Sequence, residues 1–405
     1  MVKIFAPSLE LEAVPLANEL TKIMFPSIIF MSLGMICSGV LNANHKFLSA
    51  AFAPAFSSLI IIVSVFVLGS PLGIKGLAYG TLISFVGFLL VVLPGVWRTG
   101  YRYRPKLSLS HPEVKTAMLS LVPIVLGTSV NQIYYILNRI FASGLPEGMI
   151  SVLTYASKVV NLPSGIFVAA IAVAIYPAFT EYALRKDEKS FIGSLEKGLG
   201  IVMLLAIPSA VGLICLADPI ISVLFERGEF THAAAVSTAQ ALGWYSIGLF
   251  PYAAILVLMK AIYAFGDSKA PIYAGLWGIA VNVVVSFVTV GFMGHQGLAL
   301  ATALASTVNM IMFFPALRKH LPSMKFGNIA QSFIRITLAS LGMGGAVLAL
   351  VFIMNKVGIA SDVVIVFVGI VLGIVTYFVL TILLKVREVV YLREIVMNKL
   401  HRGKK

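Results

Sequence analysis

Lys158 has the clearest capacity for chemistry in this sequence, because it is a cation inside a long apolar stretch. Tyr155 and Asn161 flank it at helical spacing, and Pro163 and Gly165 follow and should kink or loosen the helix. A charge at bilayer depth costs about 2.5–3.5 kcal/mol on insertion scales, so it needs a partner or a hydrated cavity. Lys158 therefore predicts an anion-binding group in a cavity. The alternative is a lysine that snorkels to the outer membrane surface.

The apolar segment before Lys158 carries a polar stripe. Thr128, Asn131, Tyr135 and Asn138 recur at spacings of three, four and three residues, which places them on one face of a helix. Polar groups in a membrane helix must face protein or water. The stripe is consistent with the wall of a cavity, and equally with hydrogen bonds that hold neighbouring helices together.

The sequence offers no catalytic constellation. It contains no paired carboxylates, nucleophile elbow, Walker loop or dinucleotide fingerprint in a supporting context. Cys37 and Cys215 both lie in apolar segments, where a thiol behaves as a small hydrophobic group, and the six histidines show no ligand spacing. We therefore expect a protein that is not an enzyme and that uses no metal and no cofactor.

The elements that must position these residues are membrane helices. Hydrophobic residues make up 59% of the 405 residues and charged residues 11%, which excludes a soluble domain of this size. Each apolar run of about 20 residues can cross a hydrocarbon core of about 30 Å as a helix. We predict an all-α polytopic membrane protein with about 11 transmembrane helices, at residues 20–43, 50–69, 75–97, 116–142, 150–178, 195–216, 236–263, 271–292, 296–316, 332–354 and 361–385.

The distribution of Lys and Arg predicts the orientation. The loops after the odd-numbered segments, together with the C-terminal tail, hold twenty of these residues, and the opposite side holds four. The positive-inside rule places the richer side, and so the C-terminus, in the cytoplasm. The net charge of +14 then reflects topology, and a nucleic-acid partner is not expected. With 11 spans Met1 would lie outside, yet residues 1–20 lack a signal-peptide core.

The chain repeats itself at an offset of about 221 residues. Residues 76–84, GLAYGTLIS, match residues 297–305, GLALATALA, and a Phe-Pro pair recurs at Phe25 and Phe250. Such repeats predict two pseudo-symmetric lobes. By this offset the first lobe would begin before Met1, so we expect about three N-terminal helices to be missing. The predicted domains are an incomplete N-lobe at 1–111, a six-helix C-lobe at 112–325, a C-terminal helix pair at 326–385 and a basic cytoplasmic tail at 386–405.

Several short motifs carry a resemblance to a known family. Residues 260–271, KAIYAFGDSKAP, resemble the Arg-Ala-Phe-Tyr-Ala-x-x-Asp-Thr-x-Thr-Pro signature of the MviN/MurJ lipid II flippases. Residues 224–230, LFERGEF, are similar to the outer-loop motif of that family, and residues 41–43, 52–54 and 162–165 are similar to further landmarks. The resemblance runs from Met1 to the C-terminal tail.

The resemblance implies a member of the multidrug, oligosaccharidyl-lipid and polysaccharide exporter superfamily. The implied function is movement of lipid II, the undecaprenyl-diphosphate-linked peptidoglycan precursor, from the inner to the outer leaflet by alternating access. Residues 332–354 and 361–385 would form a groove for the lipid tail. Expected partners are lipid II and membrane lipids, with the cell-wall synthesis machinery as a further candidate, and the expected location is the bacterial cytoplasmic membrane.

Two groups of site residues follow. Lys158 falls where the family usually places a cavity arginine that contacts the diphosphate, and the candidate headgroup site is Lys158, Asn131, Tyr135, Asn138, Tyr155 and Asn161. Motif residues with an expected structural or gating role are Lys260, Tyr263, Asp267, Lys269, Pro271, Glu226 and Gly228.

Two departures from the family pattern keep alternatives open. Lysine at position 158 retains the charge but lacks the planar fork with which arginine grips a diphosphate. The first two helices of the family, which carry further essential arginines, have no counterpart in this chain. The alternatives are an exporter of another lipid-linked polysaccharide or of drugs, and a truncated remnant that does not transport.

Overall fold

The computed structural model describes residues 13–44, 46–100, 112–358 and 361–389, which form helices and no strand. The helices are numbered here in chain order. They are α1 Ala13–Met24, α2 Ser27–Ala43, α3 Phe47–Val67, α4 Gly69–Leu72, α5 Ile74–Trp97, α6 Pro112–Ala142, α7 Met149–Pro163, α8 Ala169–Arg185, α9 Glu188–Cys215, α10 Ala217–Phe225, α11 His232–Ile247, α12 Leu249–Ala264, α13 Lys269–Met293, α14 His295–His320, α15 Gly327–Val357 and α16 Asp362–Leu383, and a π-helical turn, Ser164–Val168, joins α7 to α8.

The helical membrane fold is confirmed, while the number of spans is approximate. Within the described ranges eight helical segments are long and apolar enough to cross a membrane, and nine if α11 and α12, bent by 43°, count as one span. The predicted runs 116–142 and 150–178 are helical but do not belong to this set. The first carries the polar stripe, and the second is divided by the π-helical turn after Pro163.

The chain divides into two compact units, Met1–Ala117 and Met118–Lys405. The first has a small core built around Leu41, Ala53 and Val92. The second has a larger core to which most helices from α7 to α14 contribute, with Leu195 and Leu242 fully buried. The predicted boundary near residue 112 and the four-part domain division stay predictions. The basic tail lies mostly outside the described residues, as do residues 1–12.

The repeat predicted from the sequence recurs as local geometry. Gly73 (φ +56°) precedes α5 and Gly294 (φ +55°) precedes α14, and this left-handed backbone favours glycine at both turns. Three residues later, Gly76 lies against Leu68, and Gly297 lies against Thr289. Within each unit, therefore, a glycine turn reverses the chain and a second glycine lets the two helices of a hairpin approach closely.

A polar side-chain contact also recurs at matching places. Lys75, at the start of α5, lies 2.7 Å from the carboxylate of Glu19 on α1. Gln296 follows Lys75 by 221 residues, and its side-chain oxygen accepts a hydrogen bond of 3.1 Å from Trp244 on α11. Trp244 follows Glu19 by the 225 residues that separate the two Phe-Pro pairs. Each bent helix is therefore tied to the start of the following repeat helix, with different chemistry in the two units.

The two C-terminal helices pack onto the second unit through a few polar contacts. Tyr377 on α16 donates a hydrogen bond of 2.9 Å to the Leu204 carbonyl on α9, and Ser222 on α10 donates one of 2.6 Å to Asp362 at the start of α16. These helices correspond to the predicted runs 332–354 and 361–385.

Candidate functional site

Lys158 lies in the third turn of α7 with its side chain exposed. Its Nζ is 5.7 Å from the centroid of the Tyr155 ring, within range of a cation–π interaction. Among the described residues, no carboxylate is within ion-pair distance of this ammonium group. The charge is therefore available to an anion that reaches this part of α7.

Tyr155 connects Lys158 to the outer-loop motif at 224–230. Its ring is 4.9 Å from the ring of Phe225 and 5.4 Å, edge to face, from the ring of Phe230. The centroids of Phe225 and Phe230 are 5.9 Å apart, so three aromatic rings form one cluster. The sequence analysis treated the lysine and the motif as separate features. The two phenylalanines of the motif were the signal that could have joined them.

The other predicted headgroup residues have different surroundings. Asn161, one turn beyond Lys158, is exposed. Asn138 on α6 is half-buried, and its Nδ2 donates a long hydrogen bond of 3.4 Å to Thr302 on α14. This contact favours the helix-binding alternative for Asn138 over the cavity wall. The backbone of α6 includes Asn131 and Tyr135, but their side chains lie outside the described part of the structure.

A cluster of buried polar groups lies where α13 meets α14. Asn282 and Ser286 on α13 are fully buried, and neither side chain has a hydrogen-bond partner among the described residues. The Oδ1 atoms of Asn309 and Asn138 are likewise buried without a partner in that part of the chain. An unpaired buried polar group costs about 1–3 kcal/mol. The sequence analysis did not single out Asn282, Ser286 or Asn309.

We expect replacement of Ser286 by alanine to leave the free energy of unfolding unchanged or to raise it by up to about 1–2 kcal/mol, because the lost hydroxyl has no partner to forfeit. The matched control is Ser340→Ala, since Ser340 is equally buried but donates 2.8 Å to the Ile336 carbonyl. That change should lower stability by about 1 kcal/mol. Unfolding of the detergent-solubilised chain in SDS measures both. Equal losses in the two variants would show that the Ser286 hydroxyl is paired.

The outer-loop motif is held by its acidic residue. Glu226 Oε1 lies 2.9 Å from His232 Nδ1, at the first turn of α11. Hydrogen bonding to His232 and to Ser222 lowers the pKa of the Glu226 carboxyl. Gly228 has a φ of +60°, which glycine adopts without strain, so it supplies the turn that follows Glu226. Both predicted motif residues thus have structural roles in this loop.

The lowered pKa of Glu226 predicts a pH-dependent contribution to stability. A carboxyl whose folded-state pKa lies below its unfolded value of about 4.3 stabilises the fold above that pH and loses this effect as pH falls through the folded pKa. The difference in melting temperature between wild type and Glu226→Gln should therefore be largest near pH 6 and vanish by about pH 3. The exposed Glu229 gives the control, Glu229→Gln, which should follow wild type. A pH-independent difference for Glu226→Gln would contradict this assignment.

Asp267 is the structural centre of the 260–271 motif. Its Oδ1 accepts hydrogen bonds from the amides of Lys269 and Ala270 at 3.0 and 3.1 Å, and its Oδ2 lies 3.1 Å from His320 Nε2. Burial opposes ionisation of this carboxyl, but the Ala270 amide, His320 and the Lys269 amide outweigh it and lower its pKa. Asp267 therefore caps α13 and joins it to the end of α14.

An aromatic stack supports this cap. The His320 ring lies parallel to Phe265 at 4.8 Å, Phe265 is 4.6 Å from Phe191, and Phe191 is 4.9 Å from Phe179. The stack joins the 260–271 motif to α8, α9 and α14. His320, Phe191 and Phe179 lie outside the motif, and the sequence analysis did not link them to it.

The remaining motif residues differ in exposure. Lys269 is exposed at the start of α13, and Pro271 is half-buried in its first turn, where proline is tolerated. Tyr263 is half-buried near the end of α12. Lys260, also half-buried, holds its Nζ 5.1 Å from the centroid of the Tyr176 ring on α8. Within the described ranges, no group of three or more His, Cys, Asp or Glu residues could hold a metal ion.

The family resemblance is confirmed by sequence comparison. The family model described as lipid II flippase MurJ matches residues 1–392. A lipid II flippase MurJ from Burkholderia cenocepacia is 32% identical over 314 residues, which cover 76% of this chain and 61% of that protein. A probable lipid II flippase MurJ from Bdellovibrio bacteriovorus is 31% identical over 367 residues, 90% of this chain and 70% of that protein. The chain therefore spans less than two thirds of the Burkholderia relative.

Solved structures support the fold. A multidrug resistance MATE family transporter of the MOP superfamily, in an inward-facing conformation, superposes with a TM-score of 0.66 at 18% identity, covering 79% of this chain and 75% of the transporter. A MOP superfamily transporter from Pyrococcus furiosus gives a TM-score of 0.57 at 16% identity, over 78% and 71% of the two chains. The family model covers nearly the whole chain, and the chain belongs to the lipid II flippase MurJ family.

Proposed function

We propose that this chain acts in lipid II flipping, moving the undecaprenyl-diphosphate-linked peptidoglycan precursor from the inner to the outer leaflet of the bacterial cytoplasmic membrane. The observation that carries the proposal is Lys158, an exposed cation on a membrane helix with no carboxylate in ion-pair range among the described residues. An unpaired cation at membrane depth is expected to serve a substrate or ion path. A diphosphate is an anion with the charge to match it.

The physics of the transport step is direct. The lipid tail can remain in hydrocarbon, so only the charged headgroup needs a hydrated path, which alternating access of two lobes would supply. An inside-negative membrane potential favours outward movement of an anion by about 2.3 kcal/mol per charge per 100 mV. Lys158 would lower the cost of bringing the diphosphate into the low-dielectric region, and Tyr155 would hold its side chain in place.

We also propose an orientation and a role for the C-terminal helices. The excess of Lys and Arg on one side places the C-terminus and the 260–271 motif toward the cytoplasm, and the 224–230 motif outside. In this orientation Lys158, beside Phe225 and Phe230, lies toward the outer side. α15 and α16 would hold the lipid tail. No residue of this path is proposed to perform covalent catalysis.

The test is reconstitution of the chain in proteoliposomes with fluorescent lipid II on both leaflets. Flipping is measured as the fraction of label that becomes accessible to an impermeant quencher, with empty liposomes as the control. A second arm uses the chain with the coding sequence upstream of Met1 joined to it. Flipping by either form supports the proposal.

The outcomes of this test are distinct. Binding of lipid II without flipping in both arms would indicate a remnant that does not transport. Flipping of another lipid-linked saccharide but not of lipid II would change the substrate class to another polysaccharide precursor. Either result would overturn the proposed function.

A further inference from the structure

A second lysine–tyrosine pair lies in the same unit as Lys158. Lys260 on α12 holds its Nζ 5.1 Å above the Tyr176 ring on α8, and both residues are half-buried. No carboxylate among the described residues pairs with Lys260. Asp267, the acidic residue of the same motif, is already engaged by two backbone amides and by His320. The charge of Lys260 is therefore not neutralised by its own motif.

The two pairs lie near opposite ends of one helical path. Tyr155 and Tyr176 are 21 residues apart along α7, the π-helical turn and α8. At about 1.5 Å per residue this separation is about 31 Å along the path. The hydrocarbon core of a membrane is about 30 Å thick. Tyr155 contacts the 224–230 motif, while Tyr176 contacts Lys260, one turn from the end of α12.

We propose that Lys260 and Tyr176 form a second anion site, which takes the phosphate-bearing headgroup of a lipid at the opposite end of the path from Lys158. The inference rests on the proposed function, since it names a second residue set for the same substrate class. An ammonium group above an aromatic face keeps N–H donors free for phosphate oxygens, and the ring fixes its position. The second anion site would receive the diphosphate first, and Lys158 would receive it later.

A purely structural role is the competing explanation, because a cation–π contact also joins α8 to α12. The two explanations differ in what the ligand's phosphate contributes. A structural lysine affects all ligands of the fold equally. An anion site affects a phosphorylated lipid and leaves a lipid alcohol of the same chain length unaffected.

The experiment measures binding to the 405-residue chain in nanodiscs by native mass spectrometry. The probes are undecaprenyl diphosphate and undecaprenol, which lacks the phosphates. Because Lys158→Ala removes the other cation, the second anion site is assayed in that background. We expect Lys158→Ala to retain diphosphate binding, and Lys158→Ala/Lys260→Ala to bind about tenfold more weakly. Undecaprenol binding should be the same in both.

Two further variants control for charge and for folding. Lys158→Ala/Lys260→Arg should keep the affinity, since arginine preserves the cation. Lys158→Ala/Lys189→Ala should also keep it, because Lys189 is an exposed lysine at the start of α9. Melting temperatures are compared for all variants, and a double variant that melts with its parent shows that the fold is intact.

The failures of the two proposals can be told apart. If Lys158→Ala alone abolishes diphosphate binding, the second anion site is wrong, whereas the role of Lys158 is supported. If adding Lys260→Ala changes nothing, or weakens undecaprenol binding equally, Lys260 is structural and the inference is overturned. If neither wild type nor any variant distinguishes the diphosphate from the alcohol, the proposed function loses its site as well.

Discussion

Substitution of Gly297 by alanine is expected to destabilise the second unit by about 1–3 kcal/mol. A Cβ at this position would lie 2.6 Å from Thr289 Oγ1 and 2.9 Å from the Thr289 carbonyl carbon. The Thr289 hydroxyl donates to the Val285 carbonyl at 2.7 Å, and Thr is β-branched, so the side chain cannot easily move away. The α13–α14 hairpin would have to separate, which would disturb the buried face that holds Asn282 and Ser286.

Gly291→Ala is the matched control. Gly291 lies in the same helix, and an added Cβ would meet no atom within 4 Å. Alanine has the higher helix propensity, so this change should be neutral or stabilising by up to about 1 kcal/mol. SDS unfolding of the detergent-solubilised chain, followed by helical circular dichroism, gives both values. Equal stability of Gly297→Ala and Gly291→Ala would mean that the hairpin is less closely packed than the structure indicates.

The same experiment in the first unit tests the repeat. Gly76 corresponds to Gly297, and a Cβ there would collide with the carbonyl group of Leu68. Because this obstacle is backbone, no rotamer change can relieve it. Gly76→Ala should therefore destabilise the α3–α5 hairpin at least as much as Gly297→Ala destabilises α13–α14.

The fold could be predicted from the sequence because the bilayer imposes one strong rule. Every backbone group in hydrocarbon must be hydrogen-bonded within the chain, so an apolar run of sufficient length reads as a helix. The repeat could be predicted since close helix packing needs glycine at fixed places, and Gly76 and Gly297 retain that need in both units. The break after Pro163 followed from the chemistry of proline, which lacks an N–H donor.

The contacts of the candidate site could not be predicted in this way. Helical periodicity relates Tyr155 to Lys158, but it carries no information on residues 70 positions away, such as Phe225. The contact of Lys260 with Tyr176 likewise depends on how α8 packs against α12. For Asn138 the sequence left two explanations open, and the choice depended on the position of Thr302 on another helix.

Reversal of the charge at position 158 is expected to have the largest effect on transport. Lys158→Glu should lower the rate of lipid II flipping at least about 100-fold, because it replaces an attraction to the diphosphate by a repulsion inside a region of low dielectric. Lys158→Arg should retain the rate, since arginine keeps the charge and adds a planar fork that can grip phosphate oxygens at two points. The proteoliposome assay is run in the form of the chain that flips lipid II.

The control for this prediction is Lys189→Glu, which makes the same change of charge at an exposed lysine on α9. Its flipping rate should remain near that of wild type. The melting temperature of Lys158→Glu separates binding from structure, because loss of the contact with Tyr155 could loosen the 224–230 segment. An unchanged melting temperature with lost flipping places the effect on the substrate. Full flipping by Lys158→Glu would remove Lys158 from the path of the headgroup.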